Sequence, residues 1–225
     1  MDELQVLRRR IEACRRCPRL VAWREAVASD PPARYRGQSY WARPVAGFGD
    51  PLASIVIVGL APAANGANRT GRVFTGDRSG DWLFAALHRA GLANQPTSVS
   101  VDDGLRLTGA FVMAMVRCAP PDNKPTIDER DTCFEYATRE LSLLKRARTV
   151  LALGSFAWDG ALRTVAALGH PIPKPRPRFG HGATATVGPY TVVGSYHPSQ
   201  QNTFTGKLTE AMFDEAIARA VASAR

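Results

Sequence analysis

The stretch Ser54-Ile55-Val56-Ile57-Val58-Gly59-Leu60-Ala61-Pro62-Ala63 decides the fold. Ile55–Val58 is an unbroken β-branched run, too short for a helix. It is also too apolar for a strand with one wet face, and suits a strand buried on both faces of a parallel sheet. A loop rich in Gly and Asn follows, from Ala61 to Gly76, and a helix is then expected to about Arg89, with Ser79 as its N-cap. The same order recurs downstream. Phe111–Val116 reads as a strand before a helix over Thr126–Arg146. Thr149–Leu153 reads as a strand before a helix that starts after Gly154 and ends near Leu168. Thr184–Val187 and Thr191–Gly194 are strand pieces. The last helix carries Leu208, Met212, Phe213, Ile217 and Val221 on one face. At the other end, Asp2 to about Val27 reads as one helix, stopped by Asp30–Pro32, and Tyr35–Asp50 as a loop holding Tyr40 and Trp41. Strands alternating with helices predict an α/β fold: a three-layer α/β/α sandwich around a central, mostly parallel four-stranded sheet, in a single domain over residues 1–225.

In such sheets ligands sit beyond the carboxyl ends of the strands. Three chemistry-bearing segments each follow a strand, Gly59–Gly76, Cys118–Thr126 and Ser195–Gly206, and are expected to converge on one edge. The first has the glycine content of a phosphate loop. Gly66 and Gly71 are spaced as in a Walker A motif, but Arg72-Val73 stands where Lys-Ser/Thr is required, so a nucleotide-hydrolysing P-loop is disfavoured. Such a loop can still wrap a planar ligand with inward backbone N–H groups, and Phe74 can stack on it; the alternative for Phe74 is a core aromatic. Asn123, in Pro120-Pro-Asp-Asn-Lys-Pro125, offers the acceptor and two-hydrogen donor that suit a nucleobase edge, and is otherwise a turn residue. His197 lies at a strand end, followed by Ser199, Gln200, Asn202 and Lys207, all suitable donors to phosphate oxygens.

Cys14 and Cys17 form a C-x2-C pair on the expected N-terminal helix, and Cys118 and Cys133 a second, wider pair; the chain has four cysteines in all. Two distant pairs suit one four-thiolate site for zinc or an iron–sulfur cluster, the wide spacing favouring the bulkier group. Free thiols, disulfides and a redox-active C-x2-C remain the alternatives. No hydrophobic signal segment opens the chain, so a reducing cytoplasm is expected. The net charge of +9, spread through Arg8–Arg10, Arg15, Arg16, Arg69, Arg72 and Lys174–Arg178, points to a polyanion, most simply nucleic acid. The longest apolar stretch, Ser54–Ala64, is too short to span a membrane.

Taken in order, Gly59-Leu-Ala-Pro-Ala63, Asn68-Arg-Thr-Gly-Arg-x-Phe-Thr-Gly-Asp77, Arg117-Cys-Ala-Pro-Pro-x-Asn-Lys-Pro-Thr126, His197-Pro-Ser199 and Gln201-Asn-Thr-x-Thr-Gly-Lys-Leu-Thr209 resemble uracil-DNA glycosylases. They are most similar to the family-five class. The family-four class carries a Glu after the first Gly, where Leu60 stands here. The resemblance covers nearly the whole chain. It implies a base excision repair enzyme that flips uracil, and other deaminated bases such as hypoxanthine or xanthine, out of DNA and hydrolyses the N-glycosidic bond. It implies that His197 hydrogen-bonds the departing base, Phe74 stacks on it and Asn123 reads its edge. Gly59, Leu60, Ala61 and Ala63 would line the pocket, and Ser199, Gln200, Asn202 and Lys207 would grip the DNA. The first motif holds no polar side chain to position water, so Asp77 takes that role, with Asp81 as the alternative. The resemblance also implies a structural [4Fe-4S] cluster on Cys14, Cys17, Cys118 and Cys133. The expected partner is DNA, with no membrane and no obligate protein partner, in a monomer of the bacterial cytoplasm or nucleoid. Competing readings are a non-catalytic damage-binding module of the same fold and a zinc-containing nucleotide enzyme. A glycosylase that bonds covalently to its product is disfavoured, because the Arg/His-rich insertion expected before His197 is missing.

Overall fold

The computed structural model describes residues 2–224. In chain order its elements are α1 (Glu3–Glu12), α2 (Pro18–Ser29), β1 (Phe48–Gly49), β2 (Ile55–Gly59), α3 (Ala67–Thr70), α4 (Arg78–Arg89), β3 (Ala110–Ala114), α5 (Ile127–Leu143), β4 (Thr149–Leu153), α6 (Ser155–Ala167), β5 (Thr184–Val187), β6 (Tyr190–Ser195), α7 (Gln200–Phe204) and α8 (Glu210–Ser223). Short 3₁₀ turns occupy Ala33–Tyr35 and Pro121–Asn123.

The sheet runs β1-β3-β2-β4-β6-β5. Its inner strands β3, β2, β4 and β6 are parallel, with Ile57 facing Val112 on one side and Leu151 on the other. The expected four-stranded sheet is thus the parallel centre of a six-stranded one. The correction lies at the edges, where β1 pairs antiparallel with β3 and β5 antiparallel with β6. β1 is two residues long and half-buried, so it carries no apolar run to betray it. β5 and β6 are joined by the tight turn at Gly188, whose φ is +57°, so they form a hairpin rather than separate parallel pieces.

Strand periodicity divides the core. Ile55, Ile57, Val112, Leu151, Leu153 and Val193 point to one face, where α4 and α8 contribute Leu83, Phe84, Leu87, Phe213 and Ile217. Val56, Val58, Phe111, Met113, Val150 and Val192 point to the other, under Ala137 and Leu141 of α5 and Trp158, Leu162 and Val165 of α6. Both faces of the sheet are covered, which makes the α/β/α sandwich. A third cluster packs Leu7, Ile11 and Leu20 of the N-terminal helices against Val116, Cys118, Cys133 and Tyr136.

Several helix ends differ from their sequence expectations. The N-terminal helix is broken in two, and Cys14 and Cys17 lie in the break rather than on a helix. Pro18 causes this, because it lacks an N–H and is tolerated only in a first turn; it opens α2 with Cys17 at the N-cap. Asp77, not Ser79, caps α4, its side chain accepting a bond from the Gly80 N–H. Thr126 caps α5 through a reciprocal capping box with Glu129. Leu208 lies before the last helix, which begins at Glu210. No helix among the described residues is long and apolar enough to cross a membrane.

One buried ion pair joins the sheet edge to the cysteine region. Arg117 and Glu140 are both almost fully buried, and approach to 2.8 Å. The other Glu140 oxygen accepts from the Gly47 N–H at 2.9 Å, just before β1. Removing the acid leaves a desolvated cation. Glu140→Gln is therefore expected to lower folding stability by about 3–5 kcal/mol, checked by denaturant unfolding against wild type.

Candidate active site

β2 and β4 are neighbours at the point where the chain order reverses: the connection from β2 leads to β3 on one side, and β4 lies on the other. A crevice forms beyond the strand ends at such a switch point. β2 delivers Gly59 to its rim, β4 delivers Gly154, and β6 delivers His197 two residues past its end.

The aromatic floor depends on a glycine. Phe74 lies over Gly59 so closely that a Cβ there would stand 2.7 Å from the Phe74 ring. Gly80 performs the same service behind, since a Cβ on it would collide with the Phe74 carbonyl oxygen. Phe74 itself has a φ of +54°, a conformation uncommon outside glycine that surrounding contacts must enforce. Those contacts come from Arg72, which bonds Thr75 Oγ1, Ser98 Oγ and the Asp103 carboxylate at 2.9, 2.9 and 2.7 Å. Arg69 braces the same loop through the Asn65 and Gly76 carbonyls. The bond from Arg72, with three backbone N–H groups, holds Asp103 down at about 2 against the cost of its burial.

His197 meets Phe74 nearly face to face, ring centroids 5.7 Å apart and planes 29° from parallel. Its backbone carbonyl accepts from Asn202 Nδ2 at 2.9 Å, so α7, which the sequence reading missed, positions the histidine from behind. The residue keeps a small opening to solvent, but its ring lies deep enough that burial pushes it down to about 4. At neutral pH it is a neutral imidazole with one N–H to give. A second histidine, overlooked in the sequence, packs on the residue before it: His181 Nδ1 accepts the Tyr196 N–H at 3.2 Å and its ring tilts against the Tyr196 ring. The only available signal was the Phe179-Gly-His-Gly182 stretch after the basic loop.

Asp77 follows Phe74 by three residues. One oxygen caps α4 at 3.0 Å from the Gly80 N–H. The other faces Gly66, where any side chain would strike it. Burial raises its pKa, while bonds from the Gly80 and Ser79 N–H groups pull it back. Asp81 is exposed in the first turn of α4, where a carboxylate favours the helix dipole.

The other sequence-predicted residues distribute unevenly. The carbonyls of Gly59 and Leu60 are taken by the Met115 and Val116 N–H groups, and that of Ala63 by Gly66 and Asn68. Ala61 packs beside the cysteine cluster. Asn123 is exposed on a tight turn in which it and Asp122 both have positive φ, near +55°. It reaches the same sheet edge by topology, following β3, without touching Phe74 or His197 in the contacts observed. Arg19 anchors this turn, bonding the Lys124 carbonyl and the Glu129 carboxylate. Ser199 caps α7, Lys207 lies 5.0 Å above the Tyr196 ring, and Gln200 faces solvent.

The four cysteines, far apart in sequence, line one small pocket together with Arg16, Leu20, Arg117 and Tyr136. None forms a disulfide. Burial pushes the Cys118 thiol up to about 11 and Cys133 to about 12, so both are neutral unless a metal claims the proton's place. Among the described residues, no three His, Cys, Asp or Glu groups close in as a single ion requires. Arg24 Nε, on the guanidinium that faces Cys118, is buried with no partner among the described residues. Cys133 Sγ accepts the Arg117 N–H at 3.3 Å, and Cys118 Sγ accepts from Arg24 Nη1 at 3.0 Å. Soft donors, a cationic neighbour and an orphaned N–H fit an anionic metal–thiolate group.

Phe74 over Gly59 and the neutral His197 thus meet at the switch point of an α/β/α sandwich, in a chain of net charge +9. The family model of the "Uracil DNA glycosylase superfamily" matches residues 46–220. A type-5 uracil-DNA glycosylase of Mycobacterium bovis is 53% identical over 212 residues, 93% of this chain and 78% of that one. Others from Mycobacterium leprae (51%; 93% and 90%) and Thermus thermophilus (50%; 93% of each chain) carry the same description. The chain belongs to the uracil-DNA glycosylase superfamily, within its type-5 branch.

Two outcomes follow from this geometry. Asp77→Ala is expected to cost about 1 kcal/mol through the lost cap, and Asp77→Ser only a few tenths, read by thermal unfolding. His197 takes up its proton near 6.5 when unfolded but only near 4 when folded. Between those values the unfolded chain binds more protons, so stability falls as pH drops through the window. His197→Asn should flatten that part of a pH–stability profile, and an unchanged slope would show that the ring is not desolvated.

Proposed function

We propose that this protein is a DNA repair enzyme that flips uracil out of DNA and hydrolyses its N-glycosidic bond, leaving an abasic site. The observation that carries the proposal is the neutral, desolvated His197 set against Phe74 over Gly59, in a chain of this family. Flipping is required because the reacting carbon is inaccessible inside the base stack. The reaction builds positive charge on the sugar and negative charge on the departing base. Phe74 stacks on the flipped base. The 5.7 Å between the Phe74 and His197 centroids leaves no room for a second ring between them, so the base presents an edge to His197. There the imidazole N–H donates to the oxygen where charge develops; in a water-poor site such a bond is far stronger in the transition state than in the ground state.

In this reading Asn123 hydrogen-bonds the polar edge of the base, and Gly59, Leu60, Ala61 and Ala63 enclose it. Asp77 orients the attacking water or balances the sugar's positive charge, using the oxygen not committed to the cap. Ser199, Gln200, Asn202 and Lys207 contact the DNA flanking the lesion. The apolar first motif discriminates little by hydrogen bonding, which supports acceptance of hypoxanthine and xanthine beside uracil. Cys14, Cys17, Cys118 and Cys133 hold a [4Fe-4S] cluster, which supplies a covalent cross-link between the N-terminal segment and the body of the fold. The chain acts as a single domain over residues 1–225, as a monomer, on DNA in a reducing cytoplasm or nucleoid. Four unpaired thiols and a net charge of +9 support that setting.

Single-turnover cleavage of duplexes with a central uracil, hypoxanthine or thymine, read as alkali-labile sites, tests the proposal. Uracil release with thymine spared is expected, and the hypoxanthine duplex reports the base range. His197→Ala should slow uracil release about 10²–10³-fold. Asp77→Ser should also be slow despite its intact cap, and a wild-type rate in that variant would remove Asp77 from the chemistry. No abasic product from iron-loaded protein would instead favour a non-catalytic damage-binding module.

A further inference from the structure

We propose that Arg24 is the buried counter-charge of the four-cysteine site, and that it sets how firmly the site holds its metal group and at what potential that group is reduced. The inference rests on the cluster reading above. Arg24 lies midway along α2 and is only 1% exposed. Its Nη1 donates to Cys118 Sγ at 3.0 Å, and Nη1 and Nη2 approach the Cys14 carbonyl at 3.5 and 3.4 Å. Its Nε is buried with no partner among the described residues.

The other deeply buried arginines show what Arg24 lacks. Arg72 pairs with Asp103 at 2.7 Å and Arg117 with Glu140 at 2.8 Å. No carboxylate among the described residues stands within ion-pair distance of Arg24. Its sequence neighbour Glu25 turns away to grip Arg15 through both oxygens. A guanidinium stays charged at any ordinary pH, so burying one without an anion is costly. Among the described residues, the one group its hydrogens reach that can carry negative charge is the Cys118 sulfur, so the anion must come from the cysteine site. A neutral Cys118 thiol leaves the cation uncompensated; a thiolate within a dianionic metal–sulfur group offsets it. Cluster and arginine therefore stabilise each other, and Arg24 is a positioning and charge-setting residue rather than a ligand.

A second contact extends the effect toward the crevice. Asn68 Nδ2, in α3 of the loop that ends at Phe74, donates to the Arg24 backbone carbonyl at 3.2 Å. The helix that faces the sulfurs on one side thus supports the base-pocket loop on the other.

The test uses the iron-loaded full-length protein, with iron and acid-labile sulfide first measured in the wild type. Wild type without iron and sulfide would overturn the cluster reading itself. With the cluster present, Arg24→Gln removes the charge and Arg24→Lys keeps it. Reduction adds negative charge, so loss of a neighbouring cation should shift the midpoint potential of Arg24→Gln to more negative values, read by dithionite titration in visible absorbance. Iron release to a chelator should become roughly 10–100-fold faster, the usual scale for losing an outer-shell partner. Arg24→Lys should stay nearer wild type in both readings. Failure of Arg24→Gln to take up iron while Arg24→Lys is loaded would also support the proposal. An unchanged potential and release rate in loaded Arg24→Gln, or equal damage in both variants, would overturn it.

Discussion

Both faces of the central sheet are buried, and this constraint organises the rest of the molecule. Odd residues of β2 and β4 pack under α4 and α8, even residues under α5 and α6, so neither face can carry a polar site. Chemistry is left to the strand ends, where backbone leaves the ladder and side chains can meet across neighbouring strands. Gly59, Gly154 and His197 lie at adjacent carboxyl ends because β2, β4 and β6 are parallel and in register there.

Within that frame the crevice is built by close packing more than by polar groups. A phenylalanine can lie over β2 only because residue 59 has no side chain, and can turn at a positive φ only because the Arg72–Asp103–Ser98 network holds its neighbours. The residue that would face the developing charge is kept neutral by the same desolvation that would strengthen its hydrogen bond. Burial thus serves both the floor and the donor.

The cysteine region repeats this logic with charge. Arg117 is balanced by a carboxylate, whereas among the described residues Arg24 has sulfur and carbonyl partners only. The N-terminal helices contribute little core of their own, Leu7, Ile11 and Leu20 being their main buried residues. Their attachment is reinforced by Arg19 on Glu129, Arg16 on Glu135 and the Asn68 amide on the Arg24 carbonyl. These contacts also reach the Asn123 turn and the loop that carries Phe74.

Much of this was legible in the chain. The short apolar runs at Ile55–Val58 and Thr149–Leu153 determined buried parallel strands, because no other element accommodates so short and so apolar a sequence. The spaced motifs after the strands identified Phe74, His197 and the cysteines as residues of interest, and the family comparisons agree with the class they indicated. Local chemistry was less readable where two signals competed. Asp77 and Ser79 are both good caps, and only the approach of Gly80 to Phe74 selects Asp77. The break at Pro18 was written in the sequence but was outweighed by the helical periodicity around it. Tertiary structure alone decided the antiparallel edges, the face-to-face meeting of Phe74 and His197, the Asn202 support and the isolation of Arg24 from any carboxylate. Each depends on distances between residues remote in sequence, and on burial, which makes a donor or a charge matter only once the surrounding chain has excluded water.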